Sequence, residues 1–100
     1  TIRDYLARKP GPADLALVVE VSDSSLLEDR KGLARYAWAN VPVAWLVNLK
    51  ERTVEVYTEP SGPAEPAGYG SCKVYGEADE VPVVIDGREV GRVAVREILP

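Results

Sequence analysis

The sequence predicts an α/β domain built on a strand, a helix and a second strand, followed by β-hairpin structure. Two valine-rich and mostly apolar runs of strand length, residues 15–21 and 43–49, enclose this unit. Between them, residues 25–40 place leucine and alanine side chains on one face of a helix. From residue 53 onward, valines alternate with polar residues, as in half-exposed antiparallel strands. Together these patterns predict a mixed sheet with a flanking helix and a β-rich C-terminal part.

The first strand and the helix have recognisable limits. Residues 15–21 read LALVVEV and do not alternate, which is typical of a strand covered on both faces. The helix is predicted to begin near Ser25, because Ser25 and Glu28 have the spacing of a capping box. It is expected to stop before Pro42, and Gly32 weakens it by about 1 kcal/mol relative to alanine.

Turn residues divide the second half of the chain. Three prolines and three glycines within residues 60–70 predict a loop. Asp86-Gly87 is the sequence of a two-residue type I′ hairpin turn. Cys72, in an earlier predicted strand, is expected to be a small core residue.

The chain is predicted to form one domain over residues 1–100. This domain is expected to lack its N-terminal part, since no methionine opens the sequence. Its parts are a core at 13–58, a loop at 59–71 and a β-rich tail at 72–100.

Composition excludes several classes of protein. Twelve lysines and arginines against sixteen aspartates and glutamates argue against a generally basic surface. Without histidine, and with a single cysteine, the chain offers no histidine-dependent triad, no histidine-ligated zinc and no multi-cysteine zinc site. Its longest uncharged stretch, residues 36–49, is shorter than the roughly 18 residues that a membrane span needs. A cytoplasmic protein without a membrane partner is expected.

Glu20 interrupts the first apolar strand. A carboxylate there costs several kcal/mol unless a cation, a metal or hydrogen-bond donors meet it. Two interpretations remain open: a structural ion pair with an arginine of the following helix, and a metal ligand or general base. Arg30 lies in the middle of the apolar helix face, and Lys31 lies at its edge. Arg30 either extends its head to solvent or meets Glu20 or a bound phosphate.

Two long segments, DLALVVEVSDSSLLEDRK and RYAWANVPVAWLVNLKERTVEVYTEPSG, resemble the Uma-type putative restriction endonuclease family. That family belongs to the PD-(D/E)XK nuclease superfamily, and the likeness extends from Pro10 through the closing VPVVIDGREVGRVAVREILP. The resemblance implies a restriction-endonuclease-like mixed sheet and a metal-dependent site at its end. In the superfamily, an aspartate on one strand and a glutamate on the next hold a divalent metal, usually Mg²⁺, beside a lysine that faces the phosphate.

The resemblance also assigns roles to individual residues. Glu20 matches the glutamate of the motif and is implied to be both metal ligand and catalytic residue. Ser22 occupies the lysine position of the E-x-K pattern, so Lys31 is the stand-in for the catalytic lysine. From its position on the helix rather than from the resemblance, Arg30 is expected to be a phosphate or ion-pair contact. The upstream aspartate is missing, and Asp14, only six residues before Glu20, is a poor substitute.

Three functions compete at this point. The first is a Mg²⁺-dependent endonuclease that hydrolyses DNA phosphodiester bonds. The second is a non-catalytic, nuclease-like interaction or dimerisation module, favoured by the missing E-x-K lysine and the acidic balance. The third is another βαβ protein in which Glu20 and Arg30 form a purely structural pair. Edge strands of the tail and of the VEVY hairpin invite pairing with a second copy, which leaves a homodimer open.

Overall fold

The computed structural model describes residues 15–100 of the chain, and Asp14 lies outside that range. The strands are β1 (Leu17–Ser22), β2 (Val43–Asn48), β3 (Thr53–Pro60), β4 (Tyr69–Tyr75), β5 (Glu80–Ile85) and β6 (Arg88–Ala94). The helices are α1 (Leu26–Gly32), α2 (Ala34–Trp38) and α3 (Val95–Ile98). None of the helices in the described range is long and apolar enough to cross a membrane.

The strands form two sheets. Four strands pair in the order β1-β2-β3-β4, and β5 pairs with β6 in a separate antiparallel sheet. β1 and β2 are parallel, joined by the crossover through α1 and α2, whereas β2, β3 and β4 are antiparallel. This confirms the predicted mixed sheet with flanking helices and a β-rich C-terminal part, the architecture that the resemblance implied.

Each face of the four-stranded sheet carries its own core. One face packs against the second sheet and α3, through Trp45, Val47, Val54, Val81 and Val95 among others. The opposite face packs against α1 and α2, through Val18, Leu33, Val41, Ala44 and Leu46. We call this second surface the helix face.

The strand covered on both faces is β2, in which every residue is buried. The same prediction for β1 is wrong for the part of the chain that the structure describes. Val19 is 41% exposed and Val21 60% exposed, because β1 lies at one edge of the four-stranded sheet. The apolar run is therefore only partly covered by residues 15–100.

The predicted single helix over residues 25–40 is two short helices that meet at Leu33. The backbone tightens there: the Leu33 amide donates to the Arg30 carbonyl and the Tyr36 amide donates to the Leu33 carbonyl. These three-residue spacings break the α-helical pattern just after Gly32, where propensity is lowest, and they bury Leu33 in the core. The capping box is also wrong, since the Ser25 hydroxyl donates to Asp29 Oδ2 at 2.9 Å rather than accepting from the backbone.

The hairpin prediction at Asp86-Gly87 is confirmed. Both residues have positive φ, 50° and 78°, as a type I′ turn requires, and glycine adopts the second value without strain. The prediction that Cys72 belongs to the core is wrong, because Cys72 is exposed on β4, at the other edge of the sheet. Period-2 alternation places a side chain on one face of a strand but does not say which face is covered.

Candidate functional site

Two carboxylates lie on the helix face in one row across the sheet. The strand register pairs Glu20 of β1 with Leu46 of β2, and Leu46 with Glu55 of β3. Directly paired residues point to the same face, and neighbouring strands are about 4.8 Å apart, so the two backbone positions are separated by roughly 10 Å. Each carboxylate meets an arginine from a different helix.

Glu20 is held through one of its two oxygens. Its Oε1 accepts a 2.6 Å hydrogen bond from the Tyr36 hydroxyl and a longer one, 3.4 Å, from Arg35 Nη2. Arg35 also donates to the Tyr36 hydroxyl at 2.9 Å, and its guanidinium lies 4.7 Å from the ring centroid of Tyr36. Glu20 Oε2 has no hydrogen-bond partner among residues 15–100.

The expected apolar enclosure of Glu20 is wrong. Its side chain is 35% exposed, because β1 forms an edge of the sheet. The surroundings of its Oε1 are also polar, since Tyr36 and Arg35 of α2 both donate to this oxygen. Glu20 is therefore a partly exposed carboxylate with one oxygen fixed by donors and one without a described partner. Such an oxygen is a hard donor of the kind that binds divalent cations.

Sequence reasoning missed the second carboxylate, Glu55, which is only 3% exposed. Arg30 grips it with two parallel hydrogen bonds, from Nε to Oε1 at 3.0 Å and from Nη2 to Oε2 at 2.5 Å. The Tyr57 hydroxyl donates to Oε1 at 2.5 Å. Burial raises the pKa of Glu55, but the hydrogen bonds from Arg30 and Tyr57 outweigh it, and the pKa lies below its usual value. Both oxygens are occupied, so Glu55 is a structural carboxylate.

The two predicted cations lie away from Glu20. Arg30 pairs with Glu55, so the interpretation of a Glu20–Arg30 pair is wrong, and the arginine that meets Glu20 is Arg35. Lys31 is exposed beside Arg30, at a groove over β3 that also includes Tyr57 and Tyr69. No hydrogen bond or ion pair joins Lys31 to Glu20 in the described range. The catalytic roles assigned to Glu20 and Lys31 stay predictions.

Ser22, at the position of the E-x-K lysine, is 1% exposed, and its hydroxyl has no hydrogen-bond partner within residues 15–100. It pairs across the strands with Asn48, whose side-chain oxygen accepts the Glu51 amide at 3.0 Å. This position contributes a buried neutral side chain. Within the described residues, no three or more cysteine, aspartate or glutamate side chains converge into a metal-binding group.

A model of the Uma2 family, described as putative restriction endonuclease, matches residues 2–90. The chain belongs to the Uma2 family. The matched region contains both carboxylates, both arginines that bind them, and Lys31. It therefore confirms the resemblance drawn from the sequence and supports a nuclease-like role for this Uma2 chain. No curated protein and no solved structure gave a significant match.

The Glu55 cluster predicts how the stability of this Uma2 domain depends on pH. A carboxyl whose folded pKa is depressed contributes stability above its unfolded pKa, and this contribution is lost as pH falls through the folded pKa. Urea denaturation between pH 3 and pH 7 measures this dependence. The free energy of unfolding should fall less steeply with decreasing pH for Glu55→Gln than for the wild type. Equal slopes for the two proteins would contradict the assignment.

Tyr69 sets a separate limit on the alkaline side. Burial raises the pKa of Tyr69 to about 12, so stability is lost as pH rises from the unfolded value near 10 through 12.

Proposed function

We propose that this protein is a metal-dependent endonuclease that hydrolyses phosphodiester bonds of DNA, with Glu20 as a metal ligand. Membership in a family described as putative restriction endonuclease supports the reaction class and the DNA substrate. The observation that carries the site is the Glu20 carboxylate, with Oε1 anchored by Tyr36 and Arg35 and Oε2 without a described partner. A fixed carboxylate with an available oxygen could supply one of the ligands that a metal-dependent hydrolase requires.

Mg²⁺ suits this donor chemistry. It is a hard cation that proteins hold through one or two carboxylates, while water and substrate phosphates complete its coordination. Glu20 would supply one carboxylate, and the outer edge of β1 is unpaired in the described part of the chain. The aspartate that the family resemblance implies would come from a strand beside that edge. When bound, Mg²⁺ activates water and neutralises charge that develops on the phosphate.

Arg35 is better placed than Lys31 to act at the Glu20 site. Its guanidinium contacts both Glu20 and Tyr36, and its side chain is 69% exposed, which leaves donors free for a phosphate oxygen. Lys31 lies in the groove over β3 instead. Arg35 therefore orients the carboxylate and offers positive charge to the phosphate through the donors that these contacts leave free. Lys31 is left to contact a different part of the substrate.

The direct test of the activity is cleavage of supercoiled plasmid by the purified full-length protein. Nicked and linear products should form with Mg²⁺ and should be suppressed by excess EDTA. Equal product with and without the chelator would show that the cleavage is not metal-dependent, and no product under either condition would count against the enzyme.

The second candidate is a non-catalytic module that pairs with a second copy of itself. Ser22 in place of the E-x-K lysine favours it, and so does β4, an edge strand of seven residues whose outer side is unpaired in the described range. Under this alternative, Glu20 belongs to a structural cluster with Tyr36 and Arg35. Metal binding separates the two functions.

Thermal unfolding with and without metal should distinguish them. A cation that binds only the folded state at one hundred times its Kd adds about 2.7 kcal/mol of stability. For a domain of this size, that predicts a rise in Tm of roughly 10–20 °C in saturating Mg²⁺ or Mn²⁺, with smaller rises at lower occupancy. Glu20→Gln should abolish the rise and Glu51→Gln, on an exposed turn, should retain it. Coincident melts for the wild type would favour the non-catalytic module.

A further inference from the structure

A groove of about 400 Å³ lies on the helix face, over β3 and β4 and away from Glu20. Arg30, Lys31 and Ala34 line its helical side, Tyr57 and Tyr69 line the sheet side, and Ala67 contributes from the loop at 61–68. Its volume is within the range of small-ligand pockets. The groove combines two cations with an apolar surface, and the described site at Glu20 uses neither part of it.

The first cation is preorganised. Glu55 engages Nε and Nη2 of Arg30, and Nη1 has no partner among residues 15–100. The Arg30 side chain is 44% exposed, although its carboxylate partner is almost completely buried. A fork held this way loses little conformational freedom when its remaining donors bind an anion. Arg30 is thus fixed by a buried anchor and open on the groove side.

Lys31 supplies the second cation at the same groove. It is exposed and forms no ion pair with any carboxylate of the described residues. Glu55 offsets one positive charge, so Arg30, Lys31 and Glu55 together retain one net positive charge. Glu28 and Asp29 make α1 neutral as a whole, but they do not line the groove, so the two cations that do line it are what a phosphate would meet there.

The rest of the groove suits the apolar part of a nucleotide. The Tyr69 hydroxyl donates to the Val41 carbonyl at 2.8 Å, which fixes the ring, and the rings of Tyr57 and Tyr69 are 6.1 Å apart at 52°. Aromatic rings and small apolar residues accept the sugar and base of a nucleotide without a sequence preference. Ala34 and Ala67 leave space beside these rings.

We propose that this groove binds one nucleotide of a DNA strand, with its phosphate at Arg30 and Lys31 and its sugar and base against Tyr69. The proposal rests on the proposed function for the identity of the ligand. Glu20 and Glu55 occupy the same row of the sheet, but Leu46 between them is completely buried, so a strand that reaches both sites would pass over the outer surface of the helices. The groove then holds substrate away from the reacting phosphate and takes no part in the chemistry.

Two alanines of one loop provide a matched test. Ala67 lines the groove, whereas Ala64 is exposed in the same loop and does not line it. Fluorescence anisotropy with a 5′-fluorescein-labelled single-stranded 20-mer DNA, in EDTA and low salt, measures binding without cleavage. Ala67→Glu should weaken binding about tenfold or more, because it adds a negative charge and fills the site, while Ala64→Glu should change it by less than about twofold. Equal weakening by both variants, or no effect of Ala67→Glu, would overturn the proposal.

A second pair tests the phosphate contact. Lys31→Gln should weaken binding several-fold and lower the dependence of log K on log salt by about one unit, whereas Lys50→Gln, exposed beyond β2, should leave the slope nearly unchanged. Identical slopes for the two variants would overturn the placement of the phosphate. Circular dichroism melts establish that all four variants fold.

The chelator separates this proposal from the nuclease activity. Groove-dependent binding without Mg²⁺-dependent cleavage would support the groove and reject the enzyme. Cleavage that persists while DNA binding ignores Ala67 and Lys31 would reject the groove alone.

Discussion

Glu20→Gln is expected to lower Mg²⁺-dependent DNA cleavage by at least about 100-fold, since the change removes the charge of the carboxylate that we propose as a ligand for the hard cation. The amide is nearly isosteric, and its oxygen can still accept the hydrogen bond that Tyr36 donates to Glu20 Oε1. The side chain is 35% exposed, so the variant should fold normally. The measurement is the initial rate of nicking of supercoiled plasmid, with the Mg²⁺ concentration varied.

The matched control for this variant is Glu51→Gln. Glu51 is exposed in the turn between β2 and β3, outside the row that holds Glu20 and Glu55, and the substitution makes the same change in net charge. It should cleave at the wild-type rate. If Glu20→Gln also cleaves at that rate, the role of Glu20 as a metal ligand is wrong. If both variants lose activity equally, the effect reflects overall charge instead of the site.

Arg30→Ala is expected to destabilise the fold by about 3 kcal/mol, because it leaves the Glu55 carboxylate buried without its cation. The Glu55 side chain is 4% exposed and Arg30 is 44% exposed, so water partly compensates at the arginine end, and we expect the lower end of the range for broken buried pairs. For a domain of this length, the loss corresponds to a fall in Tm of roughly 12–24 °C. Circular dichroism melts and urea titrations measure it.

The neighbouring helix provides the comparison. Arg35→Ala removes an arginine from a partly exposed pair with Glu20, whose longer 3.4 Å contact is worth less than about 1 kcal/mol. Arg30→Met combined with Glu55→Met should recover most of the stability lost by Arg30→Ala, since no buried charge is left unpaired. Equal losses for Arg30→Ala and Arg35→Ala would show that the Glu55 pair does not carry the expected stability.

Local patterns sufficed for much of the fold. The valine-rich runs located β1 and β2, and Asp86-Gly87 located the last hairpin, because strand length and turn geometry are set by nearby residues. The division of the helix at Leu33 was not predictable from periodicity, which continues through it. Coverage of β1 and exposure of Cys72 depend on the order of strands in the sheet, and that order is a property of distant pairings.

The same distinction between local sequence patterns and distant contacts applies to the residues of the candidate site. Glu20 stands out because a charge interrupts an apolar run, and that signal is local. Glu55 lies at a polar position of an alternating strand, which normally indicates a solvent-facing side chain. It is buried because the β1–β2 crossover places α1 over that face. The crossover itself was predicted, so the usable signal was the VEVY glutamate beneath a helix that carries an arginine among its apolar residues.

The junction at Leu33 separates two short helices, and each helix contacts a different carboxylate on the same face of the sheet. The arginine before it is fixed to β3 by a buried contact, and the arginine after it reaches the partly open carboxylate on β1. Substitutions at Arg35 or Tyr36 therefore leave intact the contact that anchors the preceding helix. Side chains around the Glu20 carboxylate can therefore be replaced while the buried Arg30–Glu55 contact holds α1 on the sheet.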